Sequence, residues 1–440
     1  MAVRRIAIVG SGISGLAAAH RLAPHAQVTL FEAGGYFGGH THTVDVTLPD
    51  RSGRPVTHGV DTGFLVFNHR TYPDLVKLFA ELQVDTAASD MSFSVQLPGR
   101  DLEWSGNNLD TVFAQRRNLW RPAFWRMLRD LLRFNRLTTE LARAGEDAAL
   151  AEPIGTFLDR HRFGAEFREW YFLPMVACIW SCPAGQMLRF PIGTMIRFCH
   201  NHGLIQITDR PQWHTVRGGA KHYVAKILAG LTDARLNTPV RQVRRVPPGS
   251  GEGGVIVSTD RGSERFDDVV LACHSDQALA LIGDPLPLER ELLGAIGYHP
   301  NVAVLHTDTT LMPRRRKAWA AWNYERAEDA GREAGAVCLH YWLNRLQPLP
   351  FRDDVIVSLN PVRAPRPETV IGRYEYAHPV FDLSAVAAQR RLGEIQGLRH
   401  VWFCGAWAGY GFHEDGLKSG LAVAQGLLDR WQHGPMQVAA

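Results

Sequence analysis

RRIAIVGSGISGLAAAHRLAPHAQVTLFEA, residues Arg4 to Ala33, reads as strand, tight turn, helix and second strand. Ile6 to Val9 is a short buried strand, Ile13 to Leu22 an Ala-rich helix, and Val28 to Phe31 a strand running into Glu32 and Ala33. Gly10, Gly12 and Gly15 form GxGxxG between the first strand and the helix, with Ser11, Ile13 and Ser14 between them. Gly10 permits the turn, Gly12 lets backbone approach a pyrophosphate, and Gly15 lets helix and strand pack closely. The helix N-terminus then presents unpaired N–H groups and a partial positive charge to the phosphates. Glu32 follows Gly10 by 22 residues, where a carboxylate accepts ribose hydroxyls. An acid at that place argues against a 2′-phosphate, hence against NADP.

Composition bounds the rest. A chain of 440 residues, 45% hydrophobic and 21% charged, has room for two domains and a large core. A net charge of +4 is too small to suggest nucleic-acid binding. The six cysteines, Cys178, Cys182, Cys199, Cys273, Cys338 and Cys404, form no CxxC pair and read as buried thiols of a reducing compartment. Cys199, His200 and His202 lie too close together for the usual zinc spacings, so no metal is expected. The N-terminal apolar run is broken by glycines and followed directly by structure, which excludes a signal peptide. No stretch of about 18 uncharged apolar residues suggests a membrane span.

EAGGYFGGHTHT follows at once, with Gly38 and Gly39 six residues after the acid. The pair resembles the second glycine motif of the flavoprotein superfamily of amine oxidases and phytoene desaturases, where Arg usually stands in place of His40. GVDTGFLVF, with Gly63, Phe64 and Leu65, resembles the stretch whose backbone passes the flavin ring. FCGAWAGYGFHEDGLKSG, Phe403 to Gly420, resembles the superfamily's ending. There a strand delivers Gly405 beside the cofactor, and a helix opening at Asp415, Gly416 and Leu417 points N–H groups at the flavin C2=O. The resemblance implies FAD, and an α/β fold of two domains. The first is a discontinuous Rossmann-like FAD domain over 1–85, 208–282 and 395–440, with Val240 beside the adenine. The second is an α+β substrate domain over 86–207, mostly helical, and 283–394, mostly strands.

More specific segments, among them HRTYPDLVKLFAEL, IWSCP, NHGLIQITDRPQWHTVRGG, LACHSDQALALI and YWLNRLQPL, resemble a family of FAD-binding oxidoreductases associated with cyclopropane-fatty-acid synthases. That family includes the fatty-acyl desaturase of bacterial furan-fatty-acid synthesis. The implied substrate is an unsaturated, methyl-branched acyl chain on a phospholipid, with a lipid methyltransferase as a possible partner. Its oxidation needs a hydride taken by flavin N5 and a proton taken by a base. The candidate bases in family-like motifs are His413, Glu414, His202 and Tyr341. Rival readings are an amine oxidase, with Trp407 and Tyr410 as an aromatic pair, a polyene desaturase, or a flavin-bound partner of the methyltransferase without activity of its own.

Between Arg116 and Arg136, seven arginines and one acid give a local charge of +6, and Arg126, Arg129, Arg133 and Arg136 fall on one helical face. Trp120, Phe124, Trp125, Leu128, Leu131 and Leu132 lie largely elsewhere around it. Together with PRRRKAW (313–319), this suits an anionic membrane surface, and the expectation is a cytoplasmic protein, peripheral on the inner face of the membrane.

Overall fold

The structure, a computed structural model, describes residues 3–144, 152–203, 210–247, 253–327 and 336–433. The domain boundary expected at 207/208 and most of the PPGSGEGG turn lie outside the described residues. The opening stretch forms β1 (Arg5–Val9), α1 (Ile13–Leu22) and β2 (Gln27–Phe31). β1 is the centre of a five-stranded parallel sheet with β2 on one side and Asp268–Leu271 on the other. Asp233–Arg235 and Val401–Phe403 complete the two edges. The strands therefore come from three separate parts of the chain. The inner strands and Val401–Phe403 are almost continuously apolar, as a parallel sheet covered on both faces requires, while the edge strand Asp233–Arg235 is polar.

The C-terminal helix His413–His433 closes over α1. Glycines make this approach possible. A Cβ on Gly420 would stand 2.1 Å from the Ser14 carbonyl oxygen, and one on Gly416 would stand 2.7 Å from Ile13 Cγ2. The antiparallel strands Val240–Arg245, Val255–Thr259 and Gly262–Phe266 flank the parallel sheet.

A seven-stranded sheet forms the other half. It runs Val370–Val380, Gly297–His306, Ile356–Leu359, Cys338–Trp342, Trp322–Glu325, Phe93–Leu97, Leu102–Ser105. The stretch expected to be mostly helical after residue 90 thus begins with two strands. Ser94 and Gln96 pair in parallel with Asn323 and Glu325, a contact between residues more than 200 positions apart. Helices then follow from Leu109 to Asn201.

The basic segment departs from expectation. It lies on the helix Pro122–Ala144 and the turn before it. Arg126 pairs with Glu166, and Arg133 donates to the carbonyls of His161 and Arg162 while its guanidinium sits 4.2 Å over the Phe163 ring. Arg133 is therefore folded onto the neighbouring segment, while Arg126 is paired with Glu166 but stays exposed. The outward stripe is instead Trp125, Arg129, Leu132 and Arg136, beside Trp120. Trp120 is 87% exposed, Leu132 55% and Trp125 49%. Among the described residues, no helix is long and apolar enough to cross a membrane.

Candidate active site

The dinucleotide loop sits at the C-terminal edge of the parallel sheet. Gly10 adopts φ +103°, and its N–H donates to the Phe31 carbonyl at 2.9 Å. A Cβ on Gly15 would stand 1.9 Å from the Gly10 carbonyl oxygen, so only glycine lets helix and turn meet. Around Gly12 the reverse holds: a Cβ there would meet no protein atom within 4 Å. No side chain caps the N-terminus of α1. Open space in front of a bare helix N-terminus is what a pyrophosphate requires.

The Glu32 carboxylate accepts from the N–H groups of Ser11 (3.0 Å) and Gly34 (2.8 Å) and from the Ser11 hydroxyl. Ser11 Oγ in turn accepts from the Gly38 N–H at 3.0 Å, which ties the first glycine loop to the second. Gly39 abuts Gly12: a Cβ on it would stand 3.1 Å from the Gly12 Cα. The His40 carbonyl accepts from the Phe64 N–H at 2.7 Å, and a Cβ on Gly63 would collide with that carbonyl. Leu65 is buried just beyond. The Phe64 ring stacks on His413 at 3.8 Å between centroids. The three motifs and the C-terminal helix thus form one continuous cradle.

His40 Nε2 is buried without a protein partner. Burial, with His378 and His274 alongside, holds its imidazole well below the usual range and hence neutral. It does not reproduce the fixed charge of an arginine, so the diphosphate charge falls to the N-terminus of α1. At the other end, Thr238 N–H donates to the Glu32 carbonyl at 2.8 Å, which brings Val240 alongside β2. The Val240 side chain belongs to the core with Val9 and Phe31, and Ala33 is exposed.

Other expected contacts are relocated. The C-terminal helix opens at His413, two residues before the expected Asp415, and the Gly416 N–H already donates to the Phe412 carbonyl at 3.0 Å. The N–H groups free of intrahelical partners are those of His413 to Asp415, not those of Gly416 and Leu417. Gly416 and Ser14 serve the contact between the two helices, and Leu417 is core. The Gly405 N–H donates to Ser419 Oγ at 3.2 Å, which fixes the turn before the helix. Asp415 accepts from the Phe412 N–H at 2.9 Å, and burial pushes its carboxyl up to about 6.

The four candidate bases separate by environment. Both Glu414 oxygens are taken by the Asp74 and Leu75 N–H groups, each at 3.0 Å. Glu414 therefore caps the helix Pro73–Glu81 and is buried in that contact, 4% exposed. Burial raises the Tyr341 hydroxyl well above its usual range, and the ring packs edge-on to Trp322, so it stays protonated. Burial lowers His413 to about 3 and His202 to about 4, leaving both neutral bases. His413 Nε2 shares a hydrogen bond with Tyr223 OH at 2.7 Å, and Tyr223 OH meets Thr41 Oγ1 at 2.6 Å. His202 Nδ1 faces the Phe198 carbonyl at 2.9 Å. A carbonyl only accepts, so the proton sits on Nδ1 and Nε2 keeps its lone pair.

His202 belongs to an aromatic wall that the sequence reading missed. It stacks on Phe198 at 3.9 Å, Phe198 stacks on Phe412 at 4.4 Å, and Trp180 lies 6.3 Å from Phe412. The suggested aromatic pair is absent: Trp407 is buried in the second core cluster, donating to the Cys273 carbonyl at 3.0 Å, whereas Tyr410 lies near Phe198. Tyr223 was missed as well, as was Asp61, whose buried carboxyl joins Thr43, the Ala220 N–H and Gln347. A lone Tyr in a helical repeat carries no signal of such a role. Asp61, inside GVDTGF, could have been found. The cysteines are free thiols among the described residues, and burial raises the thiols of Cys178 and Cys182.

The model of the flavin containing amine oxidoreductase family matches residues 13–337. The chain belongs to that family. A carotenoid phi-ring synthase of Streptomyces griseus is 29% identical over 297 residues, 63% of this chain and 53% of that protein, so the match spans about half of that relative's length. Cyclohexylamine oxidase from Brevibacterium oxydans IH-35A shares the fold with a TM-score of 0.67, covering 98% of this chain and 100% of its own at 18% identity. A CLA-producing fatty acid isomerase from P. acnes does so at a TM-score of 0.64, covering 96% and 98% at 15% identity. Membership makes the chain a flavoprotein with FAD as its cofactor. The loop around Gly12, the carboxylate of Glu32 and the bare N-terminus of α1 suit its adenosine diphosphate half.

Proposed function

We propose that this family member is a dehydrogenase of an unsaturated, methyl-branched fatty acyl chain of a phospholipid, related to the desaturation step of furan-fatty-acid synthesis. The supporting observation is the aromatic wall of Phe198, His202, Tyr410 and Phe412 beside the cradle, whose histidines are held neutral. Glu414 and Asp415, which follow Phe412 and His413 in sequence, accept from backbone N–H groups. Such a wall suits an uncharged chain by apolar contact; an ammonium group would find aromatic faces there, but its full charge would lack a carboxylate partner.

FAD, when bound, supplies the acceptor for the two electrons removed. The chain's own residues do the rest. Phe198 and Phe412 hold the acyl chain by apolar contact and exclude water. His202 Nε2 takes the proton, its ring fixed by the Phe198 carbonyl. His413, tied through Tyr223 to Thr41, keeps Phe64 and the helix N-terminus in register with the cradle. A methyl branch beside an existing double bond eases the oxidation, since developing positive charge there is allylic and tertiary. The exposed stripe of Trp120, Trp125, Leu132, Arg129 and Arg136 gives the enzyme a face for the bilayer that holds its substrate. A lipid methyltransferase that installs the branch is a fitting partner.

Mass spectrometry of lipid extracts from cells with and without the protein tests the reading. Phospholipids lighter by two hydrogens on a methyl-branched chain should appear only with it. Identical lipid profiles would sink the proposal.

A further inference from the structure

The face of the seven-stranded sheet opposite Tyr324, Leu339 and Tyr341 carries a buried polar row that the flavin chemistry does not use. The antiparallel register sets Glu325 against Cys338 and Asn323 against His340, which places all four side chains on that face. Glu325 is 3% exposed, Cys338 4% and His340 0%. His340 Nε2 lies 2.9 Å from Glu325 Oε2 and 3.5 Å from Cys338 Sγ, and Sγ lies 3.9 Å from the same carboxylate oxygen. Ordinary zinc bond lengths with tetrahedral angles put these separations at about 3.3, 3.6 and 3.5 Å. Shifts of about 0.4 Å or less would therefore seat an ion between the three atoms.

The surroundings also suit a metal ligand set. His340 Nδ1 meets Ser358 Oγ at 2.6 Å, the outer contact that fixes the ring of a ligating histidine. Ser358 Oγ meets His306 Nε2 at 2.7 Å, and His306 Nδ1 accepts from the Asp308 N–H at 3.0 Å. That last bond places the His306 proton on Nε2, so His306 donates to Ser358. Ser358 can accept a second hydrogen from His340 Nδ1, so that loss of the proton His340 Nε2 shares with Glu325 Oε2 would give Nε2 a lone pair for an ion. Glu325 also lines a cavity of about 610 Å³ with Gln96, Thr310, Arg314, Arg326 and Arg363. Of the three candidate ligands, Glu325 is the one that lines this cavity, so a fourth ligand water would have to come from the Glu325 side.

We propose that Glu325, Cys338 and His340 form a zinc site with three protein ligands and a fourth position filled by water from this cavity. Spacing along the chain gives no hint of it, since the set is assembled by strand register across a hairpin. Binding releases the thiol proton and the proton shared between His340 and Glu325 to solvent, with no change of oxidation state. The site lies apart from the cradle and does not rest on the proposed substrate.

The test uses FAD-loaded protein stripped with chelator and titrated with zinc ion against a chromophoric chelator. One zinc per chain is expected, with an X-ray absorption spectrum showing one sulfur at about 2.3 Å beside lighter ligands at about 2.0–2.2 Å. Ser358→Ala should weaken zinc binding by about 10–100-fold while flavin absorbance stays unchanged. Cys338→Ser should remove the sulfur signal. No zinc uptake, a sulfur-free shell in the wild-type protein, or equal affinity in Cys338→Ser would overturn the proposal. The wild-type spectrum decides even where a variant misfolds.

Discussion

Two residues, His202 half-buried and Asp61 buried, show how environment divides labour near the cradle. His202 Nδ1 is pinned to the Phe198 carbonyl, which leaves Nε2 with its lone pair and no hydrogen-bond partner among the described residues. If it accepts the substrate proton, His202→Gln should lower kcat by about 10²–10⁴-fold with FAD content unchanged, and Glu414→Gln should not reproduce that loss. Equal turnover in His202→Gln and wild type would move the base elsewhere. Asp61 behaves differently. Burial pushes its carboxyl from 3.8 up to about 7. Between these values the folded chain keeps a proton that the unfolded chain has released, so this group's contribution to stability falls as pH rises. Asp61→Asn removes that dependence. The Tm of the variant minus that of the wild type should therefore rise between about pH 4 and about pH 7, as calorimetry can measure. A flat or falling difference would show that Asp61 is ionised throughout.

At the scale of elements, the glycines separate ligand contact from packing. Gly12 faces open space, whereas Gly15 is pressed against the Gly10 carbonyl. Gly12→Val should leave the unfolding free energy of the apoprotein within about 0.5 kcal/mol of wild type yet abolish the bound flavin spectrum. Gly15→Ala should destabilise the fold itself. A Gly12→Val protein that stays yellow would place the phosphates elsewhere. The β1–α1–β2 unit was legible because its contacts are local, and its observed bounds differ from the sequence reading by one residue at each strand start. Phe93–Leu97 was not legible, since its partner Trp322–Glu325 is far away in sequence. The opening of the last helix was misplaced because Phe412 and His413 look like loop residues until Asp415 closes the turn through the Phe412 N–H. Glu414 looked catalytic for the same reason: nothing in its motif reveals that Asp74 and Leu75 would claim both oxygens.

Across the whole molecule, the account joins a flavin cradle, an aromatic wall and an exposed stripe of Trp, Leu and Arg on one chain. The stripe predicts co-sedimentation with anionic liposomes, weakened by salt because the attraction is screened. Trp120→Ala, Trp125→Ala and Leu132→Ala combined should reduce that binding more than Arg126→Gln and Arg133→Gln combined, since the latter arginines already have acceptors on the protein. The reverse ranking would restore the arginine face read from sequence. Substrate class remains the central claim, and anaerobic mixing tests it without any variant or membrane. FAD-loaded protein is mixed, oxygen excluded, with a detergent-dispersed phospholipid carrying a methyl-branched monounsaturated chain. Bleaching of the oxidised flavin absorbance is expected, with a product lighter by two hydrogens. A flavin that stays oxidised with this lipid, yet bleaches with a simple alkylamine, would contradict it.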